Sequence, residues 1–198
     1  PDTQAINAWA TWVSQQKKQP WFSFIELTTV DNFSAYNETG NNTSTLETLK
    51  QGYHTSVNNA DEELGVLFEK IKELDIGDST VIVITSNHGT EFNETKTNSW
   101  GSNSNYSRYQ LEVPMIIQWP GKVAGKYDHR TSHLDLSVTL LQDLLGVSSN
   151  PSDFSSGQNL FDERSRKWIL AGDTRELALI TNKDTTAVSY THLRAHET

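Results

Sequence analysis

The chemically suggestive part of the sequence is a polar turn at residues 86–89, which read Ser-Asn-His-Gly. The turn follows residues 81–85, a continuous and largely β-branched run that predicts a buried strand. In open α/β sheets ligands bind beyond the carboxyl ends of the strands, so this turn is the candidate site. The imidazole of His88 can ligate a metal ion, or it can cap the strand end by hydrogen bonding. Glu91 and Glu94 follow, and loop carboxylates are either ligands or solvated charges.

The elements around the turn alternate between helices and short apolar strands. Apolar residues recur at spacings of three and four through residues 46–74, which predicts one long amphipathic helix. Helices are also predicted at residues 5–18 and 134–145, and strands at residues 21–27, 81–85, 115–119, 168–171 and 177–181. Residues 30–45 are rich in Asn, Ser, Thr and Gly and predict a long loop. The alternation predicts an α/β fold in which a mostly parallel sheet lies between helical layers.

Composition limits the class of protein. The 198 residues are 35% hydrophobic and 21% charged, which is typical of one globular domain or part of one. The longest apolar run is far shorter than the roughly 20 residues needed to cross a bilayer. The net charge of −9 argues against a nucleic-acid-binding surface spread over the domain. The absence of cysteine excludes disulfides, thiolate metal sites and a cysteine nucleophile within these residues.

The two ends of the sequence suggest part of a longer protein. The chain begins within a predicted helix and without a leader, so a signal or membrane anchor is expected upstream. Residues 188–198, VSYTHLRAHET, resemble the translation of a common sequencing-library adapter, and we treat them as an artefact. His192 and His196 would otherwise form an i, i+4 pair suited to a metal. The domain is therefore expected to occupy residues 1–187 and to be truncated.

Four sequence blocks occur in a characteristic order. The first is the apolar strand that ends in the turn at residues 86–89. The others are Arg108 with VPMIIQWPG at residues 113–121, a block from Ser-His to Leu-Gly-Val at residues 132–147, and SGQNLF at residues 156–161. Their order and spacing resemble the sulfatase and alkaline-phosphatase superfamily, whose metal-binding turn reads Ser-Asp-His-Gly. The resemblance implies the C-terminal half of an alkaline-phosphatase-like α/β/α domain.

Three stretches, residues 24–33, 100–110 and 150–161, resemble the YejM/PbgA type of sulfatase-like protein within that superfamily. Proteins of this type join an N-terminal membrane region to a sulfatase-like domain that faces the periplasm, and they are linked to lipopolysaccharide and cardiolipin homeostasis. The resemblance implies a domain at the bacterial inner membrane whose anchor lies upstream of these residues. It also implies an envelope lipid or a membrane protein as partner.

The resemblance further implies which residues would form the site. Asn87 and His88 would be two ligands of a divalent metal ion. Lys96 would meet the anionic group of a substrate, unless it is simply an exposed loop lysine. The superfamily's nucleophile lies in the N-terminal half, so no catalytic residue is assigned within this chain. Two departures predict that the metal site is weak or lost: Asn87 replaces an anionic ligand, and residues 28–36 contain no histidine where active relatives usually have one.

Two classes of function follow from these features. The first is a catalytically degenerate domain that contacts envelope lipid or membrane partners, which Asn87 and the missing histidines favour. The second is an active metal-dependent hydrolase or transferase of a sulfate or phosphate ester, in which the metal polarises the ester oxygens. The intact His88-Gly89 turn keeps the second class open, and Glu91 and Glu94 could supply the lost negative charge. A fold shared across a superfamily does not decide between the two.

Overall fold

A computed structural model describes residues 2–16, 20–31, 45–164, 166–172 and 176–189 of the chain. Most of the predicted loop at residues 30–45 lies outside the described part, and so do His192 and His196. The chain divides into two compact units, Pro1–Lys122 and Val123–Thr198. Each unit has its own helices and strands.

Two helices dominate the first unit. Helix α1 spans Asp2–Gln15 and helix α2 spans Leu46–Glu73, which confirms the long amphipathic helix predicted from the apolar spacing. The Thr45 side chain caps α2 by accepting a hydrogen bond from the Thr48 backbone N–H at 3.3 Å. Thr45 has an extended backbone, so α2 begins directly after this residue.

The core of the first unit lies where these two helices meet. Ile6 of α1 is buried together with Leu67 and Ile71 of α2, and Ile82 packs against this cluster. Burying an aliphatic side chain of this size stabilises a fold by about 1.5–3 kcal/mol. The apolar stripe of α2 therefore holds the strand that leads to the candidate turn, as the sequence predicts.

Residues 21–27 form an extended segment rather than the predicted sheet strand. Ile25 and Leu27 pack against the core, whereas Phe22 and Phe24 are 78% and 81% exposed. This alternation is that of a strand. However, no backbone ladder joins the segment to any other described strand. Apolar periodicity identified the extended conformation correctly but contains no information about the neighbour that would pair with it.

The end of this extended segment is held by Asp2, the first residue of α1. The buried carboxylate accepts hydrogen bonds from the backbone N–H groups of Thr28 and Thr29 at 3.0 and 2.9 Å, and from the Thr29 hydroxyl at 2.5 Å. Burial raises the pKa of Asp2, but the hydrogen bonds from Thr29 and Thr28 outweigh it and lower the pKa below its usual value. The histidine-free stretch at residues 28–36 starts here, and the structure describes it only as far as residue 31.

Strand β1, Ile82–Thr85, leads into the candidate turn and pairs with strand β4, Met115–Gln118. The two strands are antiparallel, with Ile84 opposite Ile116. The predicted parallel pairing of residues 81–85 is therefore wrong for the part of the chain that the structure describes, where every ladder is antiparallel. A β-branched run indicates burial, whereas the direction of the neighbouring strand depends on the intervening connection.

The connection between β1 and β4 contains three short elements that the sequence did not predict. Strand β2 at Glu91–Phe92 pairs with strand β3 at Trp100–Gly101, and helix α3 spans Arg108–Leu111. Asn93, Lys96 and Asn98 have positive φ angles in the loop between the two strands. Asn is tolerant of this conformation, which allows the loop to reverse direction within a few residues.

In the second unit, helix α4 at Leu134–Thr139 continues as a π-helical turn at Leu140–Leu144, which confirms the last helix predicted. Asp135, in the first turn of α4, is 2% exposed. Its carboxylate accepts the Ser132 backbone N–H at 2.7 Å, as in a capping box, and forms a salt bridge with Arg166. A buried ion pair therefore fixes the start of this helix.

Three antiparallel strands complete the second unit: β5 at Trp168–Gly172, β6 at Glu176–Thr181 and β7 at Thr185–Ser189. The first two confirm the strands predicted at these positions. The third was not predicted, and in it Val188 lies opposite Leu177. Val188 is the first residue of the stretch interpreted as an adapter. Residues 190–198 lie outside the described part, so that interpretation stays a prediction.

Candidate functional site

The turn after β1 is shaped by its own short polar side chains. The Ser86 hydroxyl donates a hydrogen bond to the His88 carbonyl at 2.7 Å. The Asn87 side-chain Oδ1 accepts the His88 backbone N–H at 2.9 Å, and Asn87 itself is exposed. As predicted, Asn87 and His88 therefore lie together at the carboxyl end of a strand.

The His88 imidazole is half-buried and has a defined orientation. Its Nδ1 lies 3.1 Å from the Gly89 carbonyl oxygen, which can only accept a hydrogen bond. This contact is a hydrogen bond in the tautomer that carries its proton on Nδ1, and in that neutral tautomer the lone pair is on Nε2. A backbone carbonyl that orients the far nitrogen in this way is the arrangement usual for histidine ligands of metals.

Gly89 joins the turn to helix α3. Its backbone N–H donates a hydrogen bond to the Gln110 carbonyl at 2.8 Å. A Cβ atom at Gly89 would lie 2.2 Å from the carbonyl oxygen of Tyr109, which is closer than any real side chain approaches. Only glycine allows the turn to approach α3 this closely, so the residue type is explained by packing.

Glu91 lies three residues beyond His88 and is completely buried. Its carboxylate accepts hydrogen bonds from five donors, all of them uncharged. They are the Thr95 backbone N–H at 3.1 Å, the Thr95 hydroxyl, the Asn105 Nδ2 at 2.9 Å, the Ser107 hydroxyl at 2.8 Å and the Gln110 Nε2 at 2.9 Å. Because a carboxylate has about four lone-pair sites, this arrangement saturates it. Glu91 is therefore already committed within the protein.

The hydrogen bonds around Glu91 also determine its charge. Burial alone raises the pKa of the carboxyl group, because it disfavours the ionised form. The donors from Thr95, Gln110 and Ser107 outweigh that effect and lower the pKa of Glu91 to about 2. Glu91 is thus an anion at neutral pH, and its charge is stabilised by hydrogen bonds from residues between 95 and 110.

Glu94 is engaged by different partners. Its carboxylate accepts the Phe92 backbone N–H at 2.5 Å and forms a salt bridge with Lys50 of α2 at 3.1 Å. Burial raises the pKa of Glu94, but the hydrogen bond from Phe92 and the charge of Lys50 outweigh it and lower the pKa. Both carboxylates thus have partners other than Asn87 and His88, and compensation by Glu91 or Glu94 stays a prediction.

Lys96 lies in the loop between β2 and β3 and is exposed. Its backbone N–H donates to the Asn93 carbonyl at 3.0 Å, as expected for the turn that its positive φ of 58° creates. Among the residues that the structure describes, the Lys96 ammonium group forms no salt bridge. Its role towards a substrate anion remains a prediction.

The turn offers two groups that fit a divalent cation. His88 presents Nε2, and Asn87 Oδ1 keeps a second lone pair after accepting the His88 N–H. A metal held there would polarise an ester oxygen and activate a hydroxyl nucleophile. Both groups are uncharged in their ligating forms. Within the described residues, no three His, Cys, Asp or Glu side chains are grouped so as to hold a metal ion.

No sequence pattern predicted which residues complete this region. Thr95, Asn105, Ser107 and Gln110 lie between 4 and 19 positions beyond Glu91 and converge on it only through the fold. Their single signal is a high density of small polar residues, which predicts a loop.

Among the residues that can be described, no helix is long and apolar enough to span a membrane.

Comparison with known sequences identifies the relatives of this chain. The Sulfatase family profile matches residues 1–147. Inner membrane protein YejM of Salmonella typhimurium is 28% identical over 183 residues, which cover 91% of this chain and 29% of YejM. Endo-4-O-sulfatase of Bacteroides thetaiotaomicron is 29% identical over 118 residues, which cover 57% of this chain and 23% of that enzyme. The chain thus spans less than a third of the length of these relatives.

Two solved Bacteroides structures share the fold. A protein of glycosaminoglycan metabolism from Bacteroides thetaiotaomicron superposes with a TM-score of 0.59 at 17% identity, over 99% of this chain and 53% of its own. The yidJ protein of Bacteroides fragilis superposes with a TM-score of 0.58 at 14% identity, over 100% of this chain and 53% of its own. The likeness confirms a truncated alkaline-phosphatase-like α/β domain. With its family profile matched over residues 1–147, the chain belongs to the sulfatase family.

Proposed function

We propose that the chain is the periplasmic, sulfatase-like domain of a bacterial inner-membrane protein, and that it acts in envelope lipid homeostasis without catalytic turnover. Lipopolysaccharide or cardiolipin, or a membrane protein that handles them, is the proposed partner. Members of the sulfatase family are generally metal-dependent, so the proposal depends on the metal-binding turn. Its main support is that the two ligands proposed at the turn, Asn87 and His88, would both be uncharged, while Glu91 and Glu94 hydrogen bond to other groups.

Similarity to YejM supports the membrane part of this proposal. It extends over 91% of the present chain, and YejM is an inner membrane protein. The proposed anchor would lie in the part of such a protein that this chain does not span. The net charge of −9 disfavours broad electrostatic attraction to anionic headgroups, so contact with lipid would be local.

One observation favours the alternative function, an active metal-dependent hydrolase or transferase of sulfate or phosphate esters. The Gly89 carbonyl holds Nδ1 of His88 and leaves Nε2 available, as in working metal sites. In this alternative, ligands and a nucleophile from elsewhere in the protein would supply the negative charge that Asn87 lacks.

Complementation distinguishes the two functions. In a bacterium depleted of its own YejM-type protein, full-length protein carrying His88→Ala should restore growth as well as wild type. His54→Ala, which removes an exposed histidine from α2, is the matched control. If only His88→Ala abolishes rescue, and the variant protein remains folded and in the membrane, the non-catalytic function is refuted and the hydrolase is supported.

The weak metal site makes a separate prediction. Asn87→Asp should tighten Mn²⁺ binding by about 1–3 kcal/mol, because it restores a charged ligand beside His88. Calorimetric titration of the full-length protein measures this change. Asn58→Asp adds the same charge at an exposed position on α2 and should leave the affinity unchanged. Tight binding by the wild type, unaltered by Asn87→Asp, would contradict a weakened site.

A further inference from the structure

Gln110 connects the buried Glu91 to the interior of the loop that precedes α3. Its side-chain Nε2 donates hydrogen bonds to Glu91 Oε2 at 2.9 Å and to the Ser104 hydroxyl at 2.7 Å. Its Oε1 accepts the Ser104 backbone N–H at 3.1 Å. Gln110 is only 2% exposed, so water does not compete for these bonds. The side chain is fixed at both of its polar ends.

The backbone of the same residue holds the candidate turn. The Gln110 carbonyl accepts the Gly89 N–H at 2.8 Å, and the neighbouring Tyr109 carbonyl lies against the Cα of Gly89 without room for a Cβ. The Gly89 carbonyl in turn lies 3.1 Å from Nδ1 of His88. A continuous series of contacts therefore runs from Glu91 through Gln110 and Gly89 to the imidazole of His88.

We propose that Gln110 is a positioning residue for His88. Glu91 anchors the Gln110 side chain, and the Gln110 backbone then sets the place of Gly89 and the orientation of the imidazole. Asn105 and Ser107 also donate to Glu91, but neither has a hydrogen bond to residues 86–89 among the described contacts. The inference concerns only the geometry of the turn, so it goes beyond the proposed function, does not depend on it, and requires no bound metal.

Gln110→Met in the full-length protein tests the inference. Methionine has a similar length but cannot hydrogen bond to Glu91 or Ser104, while the backbone carbonyl at position 110 is kept. Hydrogen–deuterium exchange at Gly89 should become about 10-fold faster, because the helix that accepts its N–H loses its anchor. The rate at which diethylpyrocarbonate modifies His88 should change by about threefold or more, since Nδ1 is no longer held. Exchange in α1 and α2 should stay at the wild-type rate.

Arg108→Gln is the matched control on the same helix. It removes an exposed salt bridge to Glu112 at 2.8 Å but none of the hydrogen bonds of Glu91 or Gln110, and it should alter neither readout. If Gln110→Met does not fold, Gln110→Asn replaces it, since asparagine keeps the amide but is too short to reach Glu91. Wild-type exchange at Gly89 and wild-type modification of His88 would overturn the inference. Uniformly faster exchange through α1 and α2 would also overturn it, because it would indicate a general loss of stability.

The outcome is independent of the complementation assay. Both readouts report the geometry of the turn, whether or not the protein turns over a substrate. A His88→Ala protein that fails to restore growth would refute the proposed function and leave the positioning result standing. Unchanged exchange at Gly89 would refute the positioning role of Gln110 and leave the proposed function standing.

Discussion

Glu91 and Asp135 are both buried carboxylates that fix a loop against a short helix, yet they are stabilised differently. Glu91, in the first unit, is surrounded by uncharged donors. Asp135, in the second, accepts the backbone N–H groups of Ser132 and Gln158 and is paired with Arg166. Dispersed dipoles support the first charge and a counter-charge supports the second. The second unit therefore depends strongly on one side chain, whereas the first spreads that dependence.

The two regions also share a steric device. Gly89 approaches the Tyr109 carbonyl so closely that a Cβ would lie 2.2 Å from its oxygen, and Gly157 approaches the Leu134 carbonyl in the same way, also at 2.2 Å. In both regions a loop glycine rests on the backbone of a helix beside a buried carboxylate. Close packing of a glycine against a helix backbone is therefore common to the two regions. The partners that stabilise the buried carboxylate differ between them.

The largest effect is expected from the counter-charge. Arg166→Met should destabilise the protein by about 3–5 kcal/mol, because it leaves the Asp135 carboxylate buried without its partner. Urea denaturation monitored by circular dichroism measures the loss. Arg164→Met removes an exposed arginine from a surface salt bridge with Asp162 and should have little effect. Equal stability of the two variants would show that the ion pair does not determine the stability of the second unit.

The steric device predicts an intermediate effect in both units. Gly89→Ala and Gly157→Ala should each cost about 1–3 kcal/mol, since the added Cβ must displace a backbone carbonyl. Gly65→Ala is the control, because Gly65 lies within α2 with nothing near its Cβ position and alanine favours helix. Thermal denaturation of the three variants gives the ranking. A Gly89→Ala protein as stable as Gly65→Ala would refute the close approach of the turn to α3.

The last prediction concerns Glu91 and the way in which stability changes with pH in acid. Its folded pKa of about 2 lies below the ordinary value of 4.5, so its stabilisation is complete above the ordinary value. That stabilisation is lost as the pH falls from about 4.5 towards 2, because the unfolded chain binds the proton first. Glu91→Gln should therefore flatten the fall in melting temperature over this range. Exposed Glu62→Gln is the control, and a Glu91→Gln curve parallel to that of wild type would contradict the prediction.

Local periodicity predicted the elements that it describes directly. The spacing of apolar residues located α2 within one residue at its end, since a helix 28 residues long repeats its pattern many times. The β-branched run located β1 for a similar reason. Its antiparallel partner β4 was located as a strand, but the pairing was not foreseen. Pairing depends on contacts about 30 positions apart, and apolar patterns contain no such information.

In the candidate site, too, some features could be predicted from the sequence and others could not. Asn87 and His88 could be located from the sequence because they follow a strand directly. The burial and the lowered pKa of Glu91 could not be predicted from the sequence. They depend on Asn105 and Gln110, which reach Glu91 only through short elements that the sequence did not predict. A carboxylate in a polar loop is usually solvated, and only the fold shows that this one is enclosed.

The uncharged donors that surround Glu91 have a consequence for how the sequence can vary in evolution. Replacing Asn105 or Ser107 removes one hydrogen bond out of several, and a neighbouring donor or a water molecule can take its place. Replacing Glu91 by an apolar residue removes at once the acceptor that all these donors share. Substitutions should therefore accumulate among the donors before they reach the carboxylate, so homologues would retain a glutamate whose surroundings have drifted.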